Sequence, residues 1–353
     1  MFDNKDFQVS REKLEKGPTR NEIGKLPDIL QVLELIFSKE IKSRLDPLQS
    51  SIFADLSSYN LYYSLRTNDN SRQVILLPSS PTPFIFYRGQ CEFFNPCTPP
   101  IYRGMSLQNI ILARLRQCEF GLLLGKHPIV MEFNGNGYVV SYAGLAQHYE
   151  LPTDILDLTN NVWTAAFFAI TKCINGEYKL LDESYSDKFG VLYILDSELI
   201  INRIDVIGAQ PFPRPSRQNA LGLTMGSDEN FNDLEGLSII PFKHNQNSER
   251  IVYSMFYESR KLFPDDMLIN LAREIKNLST ISFDAAVVCH KRFYPDLSET
   301  QFDEMCTDAG ISFVSTSIVD FSEEDLLREA REWDQAGRVR LIKRIRTIPV
   351  TTL

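Results

Sequence analysis

The sequence predicts an α+β protein: one main mixed helix/strand domain, an N-terminal helical segment and a C-terminal α/β extension. Three observations carry this. Hydrophobic residues make up 43% and charged residues 24% of 353 residues, the balance of a chain with a packed core. Apolar runs with helical spacing alternate with short β-branched or aromatic runs along the whole length. No internal repeat or low-complexity tract interrupts them. Boundaries are predicted at 1–81, 82–275 and 276–353.

The elements follow in order. Residues 1–25 are polar and read as an arm or lead-in. Ile29, Leu30, Val32, Leu33, Ile36, Phe37 and Ile41 recur at helical spacing behind Pro27, which predicts a helix to about residue 45. Residues 74–77 read as a short strand between two loops. Residues 84–87 are aromatic and β-branched and predict a strand that runs into Arg88-Gly89-Gln90. A long helix is predicted over 106–124, and further helices over 139–149 and 161–173. Residues 189–195 form the clearest strand; 237–242 and 285–289 are also read as strands. The Pro-rich stretch 205–230 reads as a long ordered loop. A helix is predicted over 267–275 and a strand over 311–314. Ser322, followed by Glu323, Glu324 and Asp325, predicts a capped helix to about residue 336.

Charge and cysteine usage bound the function. The net charge is −9, which argues against nucleic acid as a partner. A local basic cluster (Arg338, Arg340, Lys343, Arg344, Arg346) reads as a solvated face, with nucleic-acid contact as its sharper alternative. No window of about 18 apolar residues predicts a membrane span. The first residues carry no apolar signal core, so the expectation is a cytoplasmic chain with six reduced cysteines. Their irregular spacing, with four scattered histidines, predicts no metal site.

Four polar segments interrupt apolar elements. Tyr87-Arg88-Gly89-Gln90 places a guanidinium, suited to phosphate or carboxylate, beside a glycine that admits close approach. Its plain alternative is an internal salt bridge. Gln147 and His148 stand where a helix meets Pro152, and His148 is either a proton shuttle or a helix C-cap. Asp157-Leu158-Thr159-Asn160-Asn161 precedes a helix, with Thr159 or Asn160 expected to cap it and an anion site as the alternative. Arg214, Arg217 and Gln218 lie on a proline-stiffened loop or decorate the surface.

In this order the segments resemble the FRG domain family, which takes its name from an aromatic-Arg-Gly motif. Phe86-Tyr87-Arg88-Gly89-Gln90 is similar to its opening strand, and Pro99-Pro100-Ile101-Tyr102-Arg103 to the stretch that follows. The run from Ala146-Gln147-His148-Tyr149 through Asp157-Leu158-Thr159 resembles its most specific segment. Arg214-Pro215 to Gln218 and Leu262-Phe263-Pro264-Asp265 resemble later ones. The resemblance covers about 82–275. It departs where the family usually has Gly, Arg and Trp and this chain has Glu150, Asp154 and Leu158.

The resemblance implies a bacterial or phage setting, with defence or toxin-like roles. The aromatic-Arg-Gly strand is also similar to the strand that grips NAD in ADP-ribosyltransferases. That implies nucleotide chemistry, with NAD the named candidate ligand. Arg88, His148 and Asp157 are then the catalytic candidates. Arg88 would hold a phosphate or ribose, and His148 or Asp157 would orient the ribose. Tyr87, Gly89, Gln90, Gln147, Thr159, Arg214 and Gln218 are the ligand-contact candidates. Such enzymes carry a late Glu-x-Glu, absent from this sequence. The alternative is therefore a non-catalytic pocket for a phosphate-bearing ligand, or a module for a protein partner that the sequence does not name.

Overall fold

The computed structural model describes residues 11–44, 59–64, 73–78, 85–135, 140–174, 176–196, 200, 203–207, 212–337 and 345–347. Its class is α+β. The loops predicted around 65–83 and the basic residues 338–344 lie outside the described residues.

The predicted lead-in holds two short helices, α1 (Arg11–Lys16) and α2 (Arg20–Gly24), which bury Leu14 and Ile23. Two buried apolar anchors in a polar stretch are too few to register as periodicity. Arg11 binds the Asn232 carbonyl at 2.9 Å and the Asp233 carboxylate, so α1 is tied to a distant turn. Then follow α3 (Ile29–Arg44), β1 (Tyr59–Ser64) and β2 (Gln73–Pro78). The opening strand of the candidate motif is β3 (Ile85–Gln90).

Next come α4 (Leu107–Gly125), capped by Ser106, α5 (Pro128–Gly135) and α6 (Tyr142–His148), capped by Ser141. The residues expected to precede a helix as a cap are themselves a strand, β4 (Ile155–Thr159). Helix α7 (Val162–Ala169) is shorter than the predicted 161–173, because Thr171–Ile174 turns into β5 and pairs with β6 (Glu177–Leu180). The Thr171 hydroxyl donates to the Phe167 carbonyl at 2.8 Å and closes the helix end. Strand β7 (Phe189–Asp196) is as read.

The stretch predicted as a long loop holds β8 (Ile204–Val206), α8 (Pro213–Arg217) and β9 (Ala220–Thr224). Pro213 opens α8 rather than breaking structure, since a first-turn proline sacrifices no helical hydrogen bond. Strand β10 (Leu237–Lys243) is followed by α9 (Gln246–Met255) and α10 (Leu268–Lys276). The strand predicted at 285–289 is part of helix α11 (Phe283–Phe293). Ser282 caps it, and Ala285, Ala286 and Cys289 face inward at helical spacing. The chain continues through β11 (Thr280–Ser282, just before α11), α12 (Glu299–Asp308), β12 (Ser312–Val314), α13 (Glu323–Glu332) and β13 (Ile345–Thr347).

A six-stranded antiparallel sheet of order β10-β7-β3-β4-β9-β8 organises the protein. Alternation along each strand sorts its two faces. Tyr87, Leu192, Ile194 and Phe242 pack under α3, α7 and α9. Phe86, Leu156, Leu158, Tyr193 and Leu221 face the other way, under Cys97, Met225 and Phe231 from loops. Ile155 and Ala220 join α4, α5, α6 and α10, and that cluster also includes Val319 and Trp333 of the C-terminal extension. None of the described helices is long and apolar enough to cross a membrane.

Candidate functional site

Strands β3 and β4 share one bridged pair, Tyr87 with Thr159, and then part. Beyond it β3 pairs only with β7, and β4 only with β9. The ladder between the two is therefore interrupted, a slot in the hydrogen bonding of the sheet. Arg88 stands at its edge and donates from Nη1 to the Asp157 carbonyl at 2.7 Å, in place of a ladder bond.

The Asp157 side chain projects toward α6. Asp157 and Asp205 both lie opposite Gly222, so the three form one row across β4, β9 and β8. Helix α6 spans this row. Its cap Ser141 donates to Asp205 Oδ2 at 2.8 Å, and its last turn meets Asp157. Seven helical residues cover about 10 Å, close to two inter-strand spacings of about 4.8 Å each.

At the Asp157 end the polar groups form one chain. Gln147 Nε2 donates to Asp157 Oδ2 at 3.1 Å, and Gln147 Oε1 accepts from the Thr153 hydroxyl at 2.7 Å. His148 Nε2 faces Asp157 Oδ1 at 3.8 Å, and Nδ1 lies 2.9 Å from Gln218 Oε1. The Thr159 hydroxyl donates to the Gln218 carbonyl at 2.8 Å. His148 is sealed, with 5% of its side chain exposed, whereas Asp157 is open, at 42%. Burial lowers the imidazole pKa below its ordinary value, against the pull of Asp157 and the bond to Gln218; the charge of Arg214 lowers it further.

Five predicted residues (Gln147, His148, Asp157, Thr159 and Gln218) are thus brought together, and Arg88 joins them through the Asp157 backbone. Others take different roles. Tyr87 is buried under the helices. Gly89 lies against α7: a Cβ there would stand 1.8 Å from the Ala165 carbonyl oxygen. Gln90 lies on the loop-covered face, where its Oε1 accepts from the Cys97 thiol at 3.7 Å. Arg214 is a buried buttress: Nη1 donates to the His148 carbonyl at 3.0 Å, and the guanidinium lies over Tyr149 and Phe263.

Neither Thr159 nor Asn160 caps α7. Asn161 does, accepting from Trp163 N at 2.9 Å and Thr164 N at 3.4 Å. Asn161→Ala is expected to cost about 1 kcal/mol in urea unfolding, the usual worth of such a cap.

Sequence reasoning missed three members. Arg103 was quoted as part of a motif but not as a site residue. It is exposed, and its Nε donates to the Thr98 carbonyl at 2.8 Å; desolvation and then the charge of Arg88 lower its pKa, and Cys97 and Asp157 oppose this. Thr153 orients Gln147. The Leu262 carbonyl accepts from Gln218 Nε2 at 3.2 Å, and a backbone acceptor leaves no mark in a side-chain pattern.

The departures have structural reasons. Glu150 sits at φ +67°, the left-handed region where Gly is unstrained, and its carboxylate lies 3.6 Å from Lys276 Nζ. Leu158 is buried in the face lined by Phe86 and Tyr193. Asp154 lines an open recess of about 590 Å³ with Tyr102, Arg203, Asp205, Thr224 and Glu229. That recess lies apart from the polar chain, and its groups are largely paired: Arg203 with Glu229 at 2.7 Å, Asp205 with Ser141.

Four residues of this region each have a buried polar atom without a hydrogen-bond partner: Arg88 Nε, His148 Nε2, Asp157 Oδ1 and Arg214 Nε. Among the described residues, no group of three or more His, Cys, Asp or Glu could hold a metal ion.

This is the region that comparison with known families picks out. Residues 84–177 match the family model of the FRG domain, so the chain carries an FRG domain over that span. No curated protein and no solved structure matches the chain.

Proposed function

We propose that the slot between β3 and β4 binds a phosphate-bearing, ribonucleotide-like ligand, and that His148 and Asp157 act on it as an acid–base pair. The observation that carries this reading is that two buried atoms with no hydrogen-bond partner, His148 Nε2 and Asp157 Oδ1, face each other 3.8 Å apart. Buried polar atoms are normally satisfied, so two adjacent orphans ask for a donor from outside. A ribose offers neighbouring hydroxyls. Arg88 and Arg103 supply positive charge for phosphate, and guanidinium geometry suits it.

NAD carries both groups and is the ligand to try first. In NAD cleavage or ADP-ribosyl transfer, His148 would take the proton of the attacking hydroxyl as its oxygen bonds to the ribose C1′; the bond from C1′ to nicotinamide would break, its electron pair leaving with neutral nicotinamide, and Asp157 would stabilise the imidazolium formed. Loss of cellular NAD on expression is the form that a defence role would take. A binding-only role is favoured by one fact: Asp157 is the single carboxylate in the hydrogen-bonded chain.

The test is a thermal-shift series with NAD, ADP-ribose and AMP on wild type, Arg88→Gln and Asp157→Asn. At ligand about 100-fold above Kd, wild type gains about 2.7 kcal/mol, a rise of several degrees. Asp157→Asn keeps the size of the side chain and places an N–H against His148 Nε2. It is therefore expected to fold and to lose the shift. No shift in wild type, or an equal shift in Asp157→Asn, would sink the reading. NAD turnover by the wild type then separates enzyme from sensor.

A further inference from the structure

We propose that Gln218 is a positioning residue that fixes the proton of His148 on Nδ1, and so turns the His148–Asp157 pair into a seat with two acceptors. The argument is one of donors and acceptors. The Gln218 amide nitrogen donates to the Leu262 carbonyl at 3.2 Å, and turning the amide over would set oxygen against oxygen. Its Oε1 therefore faces His148 Nδ1, 2.9 Å away, and can only accept. Nδ1 must carry the hydrogen. In the neutral ring Nε2 then holds a lone pair, aimed at the Asp157 carboxylate.

Without Gln218 the ring would choose differently. A proton on Nε2 could be donated to Asp157 Oδ1, closing a His–Asp pair and leaving nothing for a ligand. The Gln218 backbone is held as well, since its carbonyl accepts from the Thr159 hydroxyl at 2.8 Å. The charged and polar groups that face His148 are Asp157 from β4, Gln218 after α8, and Arg214 from α8, whose Nη1 binds the His148 carbonyl. Arg214 disfavours a second proton on the ring, and Asp157 favours it. The preferred ligand, on the nucleotide reading above, is therefore one that brings two donors, as a vicinal diol does.

The test is long-range 1H–15N NMR of the His148 ring in the intact, ligand-free chain, with a pH titration. Wild type is expected to show Nδ1 as a pyrrole-type and Nε2 as a pyridine-type nitrogen at pH 7. Gln218→Met should move the proton to Nε2. Gln218→Glu should keep it on Nδ1 and raise the His148 pKa by roughly one to three units, as a nearby opposite charge does. Nε2–H in wild type overturns the proposal. So does a folded Gln218→Met with the wild-type tautomer, or an unchanged pKa in a folded Gln218→Glu. No nucleotide enters the measurement, so a failure of the nucleotide reading leaves this result standing, and the reverse.

Discussion

Gly89→Ala is expected to destabilise the protein by about 3 kcal/mol or more, the top of the range for overpacking a core. A Cβ at this position would lie 1.8 Å from the Ala165 carbonyl oxygen, 2.8 Å from its carbon and 2.9 Å from Ala169 Cβ. The obstacle is helix backbone, which has no rotamer to escape into. Nor can α7 withdraw as a whole. Ala165, Ala166, Phe167 and Ala169 are all buried, and the Phe167 ring lies among Tyr253, Phe256 and Phe263. Urea unfolding followed by circular dichroism checks this. Gly121→Ala is the control: it lies inside α4, and its Cβ would meet only Tyr142, at 3.8 Å, an ordinary contact. Its loss should be clearly smaller. A Gly89→Ala protein as stable as the control would mean that α7 does not press on β3 in this way.

The second large effect is acid sensitivity centred on His127. This ring is fully buried, edge-on to Phe212 and Phe321. Its Nδ1 accepts from Ile129 N at 3.3 Å, and Nε2 finds no hydrogen-bond partner. Burial pushes its pKa down to about 4. The neutral ring is thus the form that the fold selects. A histidine with a lowered folded pKa contributes stability that is complete above its unfolded value of about 6.5. That contribution drains away as pH falls toward 4. The shift is worth about 3 kcal/mol, most of it gone by pH 4.5. His148, also lowered by burial, adds in the same direction. Urea midpoints at pH 7 and pH 4.5 should fall steeply in wild type and less in His127→Asn, which keeps an acceptor for Ile129 N. Parallel pH slopes in the two proteins would remove His127 as the cause.

How much of this was legible in the chain depended on where the signal resides. Capped helices were readable: Ser106 and Ser322 begin α4 and α13 as the sequence implies. The meeting of Gln147, His148 and Asp157 was readable from side-chain chemistry, although the strand that carries Asp157 was not. Five residues of β4 between a proline and an asparagine look like a cap. Their strand character comes from β9 alongside, a partner far away in sequence. In 285–289, adjacent valines imitated a strand, but the Ser282 cap and inward Ala285, Ala286 and Cys289 make a helix. The packing contact of Gly89 and the histidine contact of Gln218 were not legible for a related reason. One serves a helix that packs on it, and the other serves a histidine 70 positions earlier. Neither relationship is local.

The sheet order bears on how small a piece of the chain keeps its strands paired. The span that matches the family, 84–177, holds β3 and β4 but none of β7, β8, β9 or β10 that flank them. Expressed alone, it would be two central strands stripped of their neighbours on both sides. The matched span is thus the middle of a larger sheet, and the contacts that hold His148, to Gln218 and through it to the Leu262 carbonyl, reach beyond it on the C-terminal side.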